Sequence, residues 1–278
     1  MSVLDRILDT KRREVAVLAE RRAALEREAR AHGTERAGRD FRTALTGAGG
    51  GLTVIAEIKR RSPSKGALAP DLDPARIARA YAEGGAAALS VLTDAEYFGG
   101  GLDDLAAARS AVDRPVLRKD FVIDEVQVYE TRLVADAMLL IVAALPDDGR
   151  LRALHALARE LGLAVLVEAH HAGEIDRALG AGAEIVGVNA RDLGDFAEDL
   201  STPERLAGRL PEGVTAVAES AIRSPADAAR MAAAGFDAVL VGELLVRSAD
   251  PAATLRDLTG SRVGPRTRPS APRQETSP

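Results

Sequence analysis

A chain of 278 residues could hold two domains, yet it also lies near the roughly 250 residues usual for a single α/β barrel. With 46% apolar but only 3% aromatic residues, its core must be built from Ala, Val, Leu and Ile, as in parallel sheets covered by helices. The lack of cysteine excludes disulfides and thiolate metal sites, and a net charge of −5 argues against a nucleic-acid surface.

In chain order, residues 3–30 read as one amphipathic helix. Ser2 serves as cap with Asp5 three residues on, and Leu4, Ile7, Leu8, Val15, Leu18 and Leu25 form the apolar stripe. This helix is charged throughout, so it does not read as a signal peptide. No apolar run approaches the roughly 20 residues of a membrane span. The expectation is a cytoplasmic protein without membrane or nucleic-acid partners.

A polar, glycine-containing stretch follows at 33–51, and then short apolar strands alternate with helices. Strands are predicted at 53–59, 87–93, 115–120, 137–144, 164–168, 185–189, 215–220 and 238–242. Helices are predicted at 74–83, 102–111, 125–134, 147–161, 173–179, 202–210, 225–234 and 251–258. Eight βα units give an α/β fold of the (β/α)8 TIM-barrel type with an extra N-terminal helical segment; the rival is an open doubly wound sheet. Ala-Gly and Gly-Gly pairs at Gly84-Gly85, Ala181-Gly182 and Ala234-Gly235 suit helix ends that lead into the next strand. Residues 1–260 are thus expected to form one barrel domain, including the N-terminal helix 2–30. Residues 264–278, rich in Pro, Arg, Ser and Thr, read as a disordered tail.

The segment IAEIKRRSPSKG (55–66) is the most informative. Alternation along a strand points Glu57 and Lys59 one way and Val54, Ala56 and Ile58 the other. Opposite charges on the inner face of an apolar strand are costly unless a site uses or pairs them. A structural ion pair followed by a solvated basic loop is the bland reading, but the pattern recurs. Other strand ends carry Lys119, Glu168, Asn189 with Arg191, and Glu219 with Ser220. Since barrel active sites lie at the C-terminal ends of the strands, these residues specify a polar mouth with acid and base capacity. Ser220-Ala221 and Gly242, at the ends of the seventh and eighth strands, occupy places where barrels bind phosphate. The four histidines, His32, His155, His170 and His171, lack the spacing of a metal site, so no metal is expected; His170 and His171 could approach the mouth. No nucleophile elbow or dinucleotide-binding glycine motif is present.

These segments resemble the indole-3-glycerol-phosphate synthase family. IAEIKRRSPSKG is similar to its first-strand signature, and LTDAEYFGGGLDDL, LRKDFVIDEVQVYE, LVEAH, VGVNARDL and AVAESAI match further segments in order. The opening SVLDRIL fits the family's extra N-terminal segment, so the likeness runs from residue 2 to 258. It implies a lyase of tryptophan biosynthesis that cyclises 1-(2-carboxyphenylamino)-1-deoxyribulose 5-phosphate with loss of carbon dioxide and water, without a cofactor. It implies Lys119 as general acid, Glu168 as the carboxylate for later proton transfers, and Glu57 and Asn189 as orienting groups. Lys59, Ser62 and Arg191 would bind the substrate's anionic groups, Phe98 and Phe121 would flank its aromatic ring, and Glu219 would be a central polar partner. Ser220 and Gly242 would hold the phosphate. A monomer or weak homodimer acting on this small phosphorylated molecule is expected. The alternatives are a phosphate-ligand binder that has lost catalysis and a related sugar-phosphate isomerase.

Three departures from the family pattern stand out. Ala221 replaces a frequent glycine and is less free to adopt positive φ. Glu243 replaces serine in some relatives and is expected to turn away from phosphate. TRLVADAM lacks a glycine cap after its helix.

Overall fold

The computed structural model describes residues 2–32, 39–46, 50–192 and 197–266. Eight parallel strands close into a barrel: β1 (Thr53–Ile58), β2 (Ala88–Leu92), β3 (Val116–Lys119), β4 (Ala137–Ile141), β5 (Ala164–Ala169), β6 (Ile185–Asn189), β7 (Thr215–Glu219) and β8 (Ala238–Val241). Each pairs with its sequence neighbours, and β1 pairs with β8, which rules out the open sheet.

Two apolar layers follow from strand alternation. Val54, Ala56 and Ile58 pack outward against the helices, whereas Ile55, Leu117, Leu139, Leu166, Val217 and Leu240 fill the barrel interior. Helices begin where the sequence supplies caps: Asp73, Ser224 and Asp250 each accept backbone N–H groups immediately before a proline that opens a helix. They end at left-handed glycines, with φ of +89° at Gly85, +87° at Gly182 and +95° at Gly235.

Several expectations are corrected. The single N-terminal helix is two helices, α1 (Val3–Leu18) and α2 (Arg22–Ala31), joined by a 3-10 turn at Ala19–Arg21. Leu4 and Ile7 of α1 face the mouth, whereas α2 lies along the helix Glu125–Val134 and its first residue, Arg22, pairs with Asp124 and Glu125. The fourth strand stops at Ile141, because Val142–Ala144 winds into a 3-10 turn. The stretch 33–51 contains a helix, Phe41–Leu45, whose Phe41 and Leu45 join the barrel's interior cluster. Its contacts with Thr53 and Thr215, at the starts of β1 and β7, place it at the end of the barrel opposite the mouth. Residues 33–38 and 47–49 lie outside the described residues. At the C-terminal end, Gly264 donates to Ala232, and Arg266 binds the carbonyls of Pro211, Val214 and Gly235 and the Asp237 carboxylate. The chain therefore stays packed through Arg266; the rest of the expected tail, 267–278, is outside the described residues. The helix in TRLVADAM ends without glycine, Ala135 simply becoming extended after its N–H bonds Thr131.

Candidate active site

A cavity of about 470 Å³ opens at the C-terminal ends of the strands. Of the twelve residues singled out from sequence, Glu57, Lys59, Ser62, Phe98, Lys119, Phe121, Glu168, Asn189, Arg191, Glu219, Ser220 and Gly242, all line it.

At its centre lies Lys119. Its Nζ is 2.8 Å from Glu168 Oε2 and 2.6 Å from Glu219 Oε2, and the side chain is only 13% exposed. Burial alone would lower its pKa; the carboxylates of Glu168, Glu219 and Glu57 outweigh that and hold it above the ordinary lysine value. Lys119 is therefore an ammonium ion, three-donor and partly desolvated, facing the cavity.

The two carboxylates beside it differ in their donors. Glu168 also receives a hydrogen bond from Asn189 Nδ2 at 3.0 Å, and His170 Nε2 lies 3.4 Å from its Oε1. Burial pushes Glu168 up, but Lys119 and His170 hold its pKa below the usual carboxylate value. Among the described residues the Glu219 side chain is bonded by Lys119 alone, and its Oε1 is buried without a hydrogen-bond partner. Burial and the nearby charges of Glu168 and Glu57 raise its pKa against the pull of Lys119. Environments that push two carboxyl groups apart in this way equip a site for proton transfer in both directions.

Glu57 Oε1 is 2.5 Å from Lys59 Nζ, so the bland ion-pair reading is true as geometry, although the pair lies in the cavity wall. Ser62 is buried and accepts from the Lys65 N–H. Arg191 donates to Ser64 Oγ at 2.5 Å and pairs with Glu198, which also holds Arg223. Phe98 and Phe121 face each other with centroids 6.2 Å apart and planes tilted by 34°. Ser220 and Ala221 have φ of +66° and +60°, so Ala221 occupies the left-handed conformation in which glycine is favoured. Glu243 pairs with Arg247, its Oε1 3.3 Å from Nε, and both residues line the cavity.

Two glycines serve the carboxylates. At Gly187 a Cβ would overlap Glu219 Oε1, and at Gly242 one would overlap Glu57 Oε1. Gly242 has φ of −120°, so space for Glu57, and not a left-handed turn, is what requires glycine there. Sequence reasoning missed Gly187, although it sits two residues before Asn189 on the inward face, where a missing side chain signals a close approach. It also underrated His170, whose Nδ1 is 3.1 Å from Glu174 Oε2; contacts with Glu168 and Glu174 overcome its burial and hold its pKa at about 10. His171 instead caps the next helix through the Glu174 N–H. Among the described residues no cluster of His, Asp, Glu or Cys is arranged to hold a metal ion, and no helix is long and apolar enough to cross a membrane.

A family model described as indole-3-glycerol phosphate synthase matches residues 4–258. The chain is 52% identical to an indole-3-glycerol phosphate synthase of Nocardioides sp., over 94% of this chain and 99% of that one. It is 55% identical to indole-3-glycerol phosphate synthase 2 of Streptomyces coelicolor, over 80% of this chain and 85% of that protein. Among solved structures, a thiamine phosphate pyrophosphorylase from Pyrococcus furiosus superposes with a TM-score of 0.57 at 17% identity, covering 79% of this chain and 96% of that one; that likeness is one of fold.

Proposed function

The chain belongs to the indole-3-glycerol phosphate synthase family, and from that premise we propose how its mouth closes an indole ring. The substrate is 1-(2-carboxyphenylamino)-1-deoxyribulose 5-phosphate, and the products are indole-3-glycerol phosphate, carbon dioxide and water. The observation that carries the reading is Lys119, a buried ammonium between two carboxylates at the cavity floor.

The ring carbon that bears the carboxylate attacks the ketone carbon. As that bond forms, the carbonyl π electrons move to oxygen, which takes a proton from Lys119 Nζ. The bond to the carboxylate then breaks, carbon dioxide leaves, and its electron pair restores the aromatic ring. In the last step the new hydroxyl takes up a second proton, drawn from solvent through the open mouth, and departs as water, while the adjacent CH2 loses a proton to form the indole double bond. Glu168, held ionised by Lys119 and His170, is suited to receive that proton. Asn189, bonded to Glu168, fixes the carboxylate's orientation. Glu57 and Lys59 orient the sugar hydroxyls and the substrate's anionic groups, with Ser62 and Arg191 beside them. Phe98 and Phe121 flank the anthranilate ring, and Glu219 tethers Lys119 from the other side.

The phosphate is assigned to the ends of β7 and β8. Left-handed backbone at Ser220 and Ala221 suits successive N–H groups to converge on an anion. The cysteine-free composition supports a cytoplasmic setting. A purely phosphate-binding barrel gives no reason for the Lys119–Glu168–Glu219 cluster, and a sugar-phosphate isomerase gives none for KRRSPSKG.

The test is turnover of the carboxyphenylamino-deoxyribulose phosphate by the purified chain, followed by indole fluorescence. Product formation sustains the reading; binding without product would favour the non-catalytic barrel.

A further inference from the structure

Lys11 of α1 is 1% exposed, a location that costs several kcal/mol for an ammonium ion unless partners surround it. Its Nζ lies 2.8 Å from Asp94 Oδ2, 2.9 Å from Asp120 Oδ1 and 2.8 Å from Glu14 Oε2. Asp94 is fully buried, and no atom but Lys11 Nζ partners its Oδ2 among the described residues. Asp120 is also buried, held by Arg118 and Thr93 as well as by Lys11; burial would raise its pKa, but Arg118 and Lys11 bring it down to about 2.

What makes this cluster informative is what each aspartate holds with its other contacts. Asp94 Oδ1 accepts the backbone N–H of Tyr97 at 2.6 Å and of Phe98 at 3.3 Å, capping the helix Ala95–Phe98. Asp120 Oδ1 accepts the N–H of Phe121 at 2.8 Å. One ammonium thus ties together the two loop segments that carry Phe98 and Phe121, and Asp120 directly follows Lys119 in sequence. A second link from the same helix runs from Thr10 Oγ1 to Glu96 Oε2 at 3.1 Å. A salt bridge serving only to dock α1 would not need partners that both cap the ring-bearing segments.

We infer that Lys11 is a positioning residue that sets the spacing of Phe98 and Phe121, and thereby the affinity for the aromatic half of the substrate. This rests on the reading that those two rings flank the anthranilate. Lys11 acts through Asp94 and Asp120.

The experiment measures Kd for two unreactive probes on the full chain. One is the substrate with its ketone reduced to an alcohol, and the other is ribulose 5-phosphate, which lacks the ring. The variants are Lys11→Met, and Lys11→Met with Asp94→Asn. The second relieves the unpaired carboxylate while the Asn oxygen still caps Tyr97 and Phe98, so it serves if the single variant does not fold. Phe98→Ala and Phe121→Ala are measured in parallel. Both Lys11 variants are expected to bind the aromatic probe about tenfold more weakly, the scale of one aromatic contact, with ribulose 5-phosphate unchanged. Equal weakening for both probes would reduce Lys11 to a structural support and overturn the inference. Unchanged affinity in the Lys11 variants, with loss in the phenylalanine variants, would overturn it while leaving the ring assignment standing. If neither phenylalanine variant loses affinity for the aromatic probe, the ring assignment fails and the inference with it.

Discussion

Gly187→Ala adds one methyl group to the barrel wall and aims it at Glu219. The new Cβ would overlap Glu219 Oε1 and lie 3.1 Å from Glu219 Cδ and 3.3 Å from Leu166 Cδ1. Leu166 is fully buried in the interior layer and has little room to yield, so the carboxylate must retreat by about 1 Å in a close-packed interior. From 2.6 Å, that retreat stretches the Glu219–Lys119 contact beyond hydrogen-bonding distance. Lys119 keeps Glu168, so the loss is one charge-assisted hydrogen bond, about 1.5–3 kcal/mol. The larger effect is on chemistry, because Lys119 loses one of its two anchors, and a misplacement of about 1 Å can cost on the order of 10²-fold in rate. Fluorescence-detected indole formation gives kcat, and urea unfolding gives stability. The expected kcat is lower by about 10²-fold in a protein that still folds. Native kcat together with native stability would refute the reasoning, because Glu219 would then have no fixed place beside Lys119.

Two further variants test other parts of the site. In Ala221→Gly, removing the Cβ from a residue at φ of +60° relieves roughly 1–2 kcal/mol of left-handed strain, and the added freedom of glycine in the unfolded chain returns roughly 0.5–1. A net gain of about 0.5–1 kcal/mol by urea unfolding is expected; a loss of stability would show that Ala221 makes contacts outweighing its strain. His170→Asn probes linkage. Because the folded pKa of His170 is raised to about 10, its stabilising contribution is complete below about pH 6.5 and disappears as pH climbs through 10. The stability gap between native chain and variant should therefore narrow by up to about 1.4 kcal/mol per pH unit across that window. A gap that stays constant from pH 6 to pH 10 would contradict a charged His170 beside Glu168.

The barrel was legible in the sequence because strand alternation, helix caps and terminal glycines all pointed to the same fold. Val54, Ala56 and Ile58 face away from Glu57, and Leu166 shares the inward face with Glu168, as spacing alone indicates. The polar residues of the mouth could be listed for the same reason: strand ends in a barrel converge. What spacing could not supply was the pairing across strands. Nothing local in VGVNARD says that Gly187 makes room for a carboxylate on the next strand, or that Gly242 does so for Glu57 on β1. His170 could be placed near the mouth from sequence, but not its contact with Glu168. Lys11 lies within a run of charges on α1 that reads as a solvated face, and only the docking of that helix buries it. The helix Phe41–Leu45 was hidden because five residues carry too few turns to show a period, although the Asp40 cap precedes it.

In the proposed mechanism Lys119 supplies the proton that accompanies ring closure. Lys119→Met is the direct test, with kcat read from indole fluorescence and binding read with the ketone-reduced substrate. Loss of the acid should lower kcat by at least the roughly 10²–10⁴-fold typical of general acid catalysis, while affinity for the reduced substrate stays within a few-fold. Turnover near that of the native chain would contradict the account, since the proton would then come from elsewhere in the mouth.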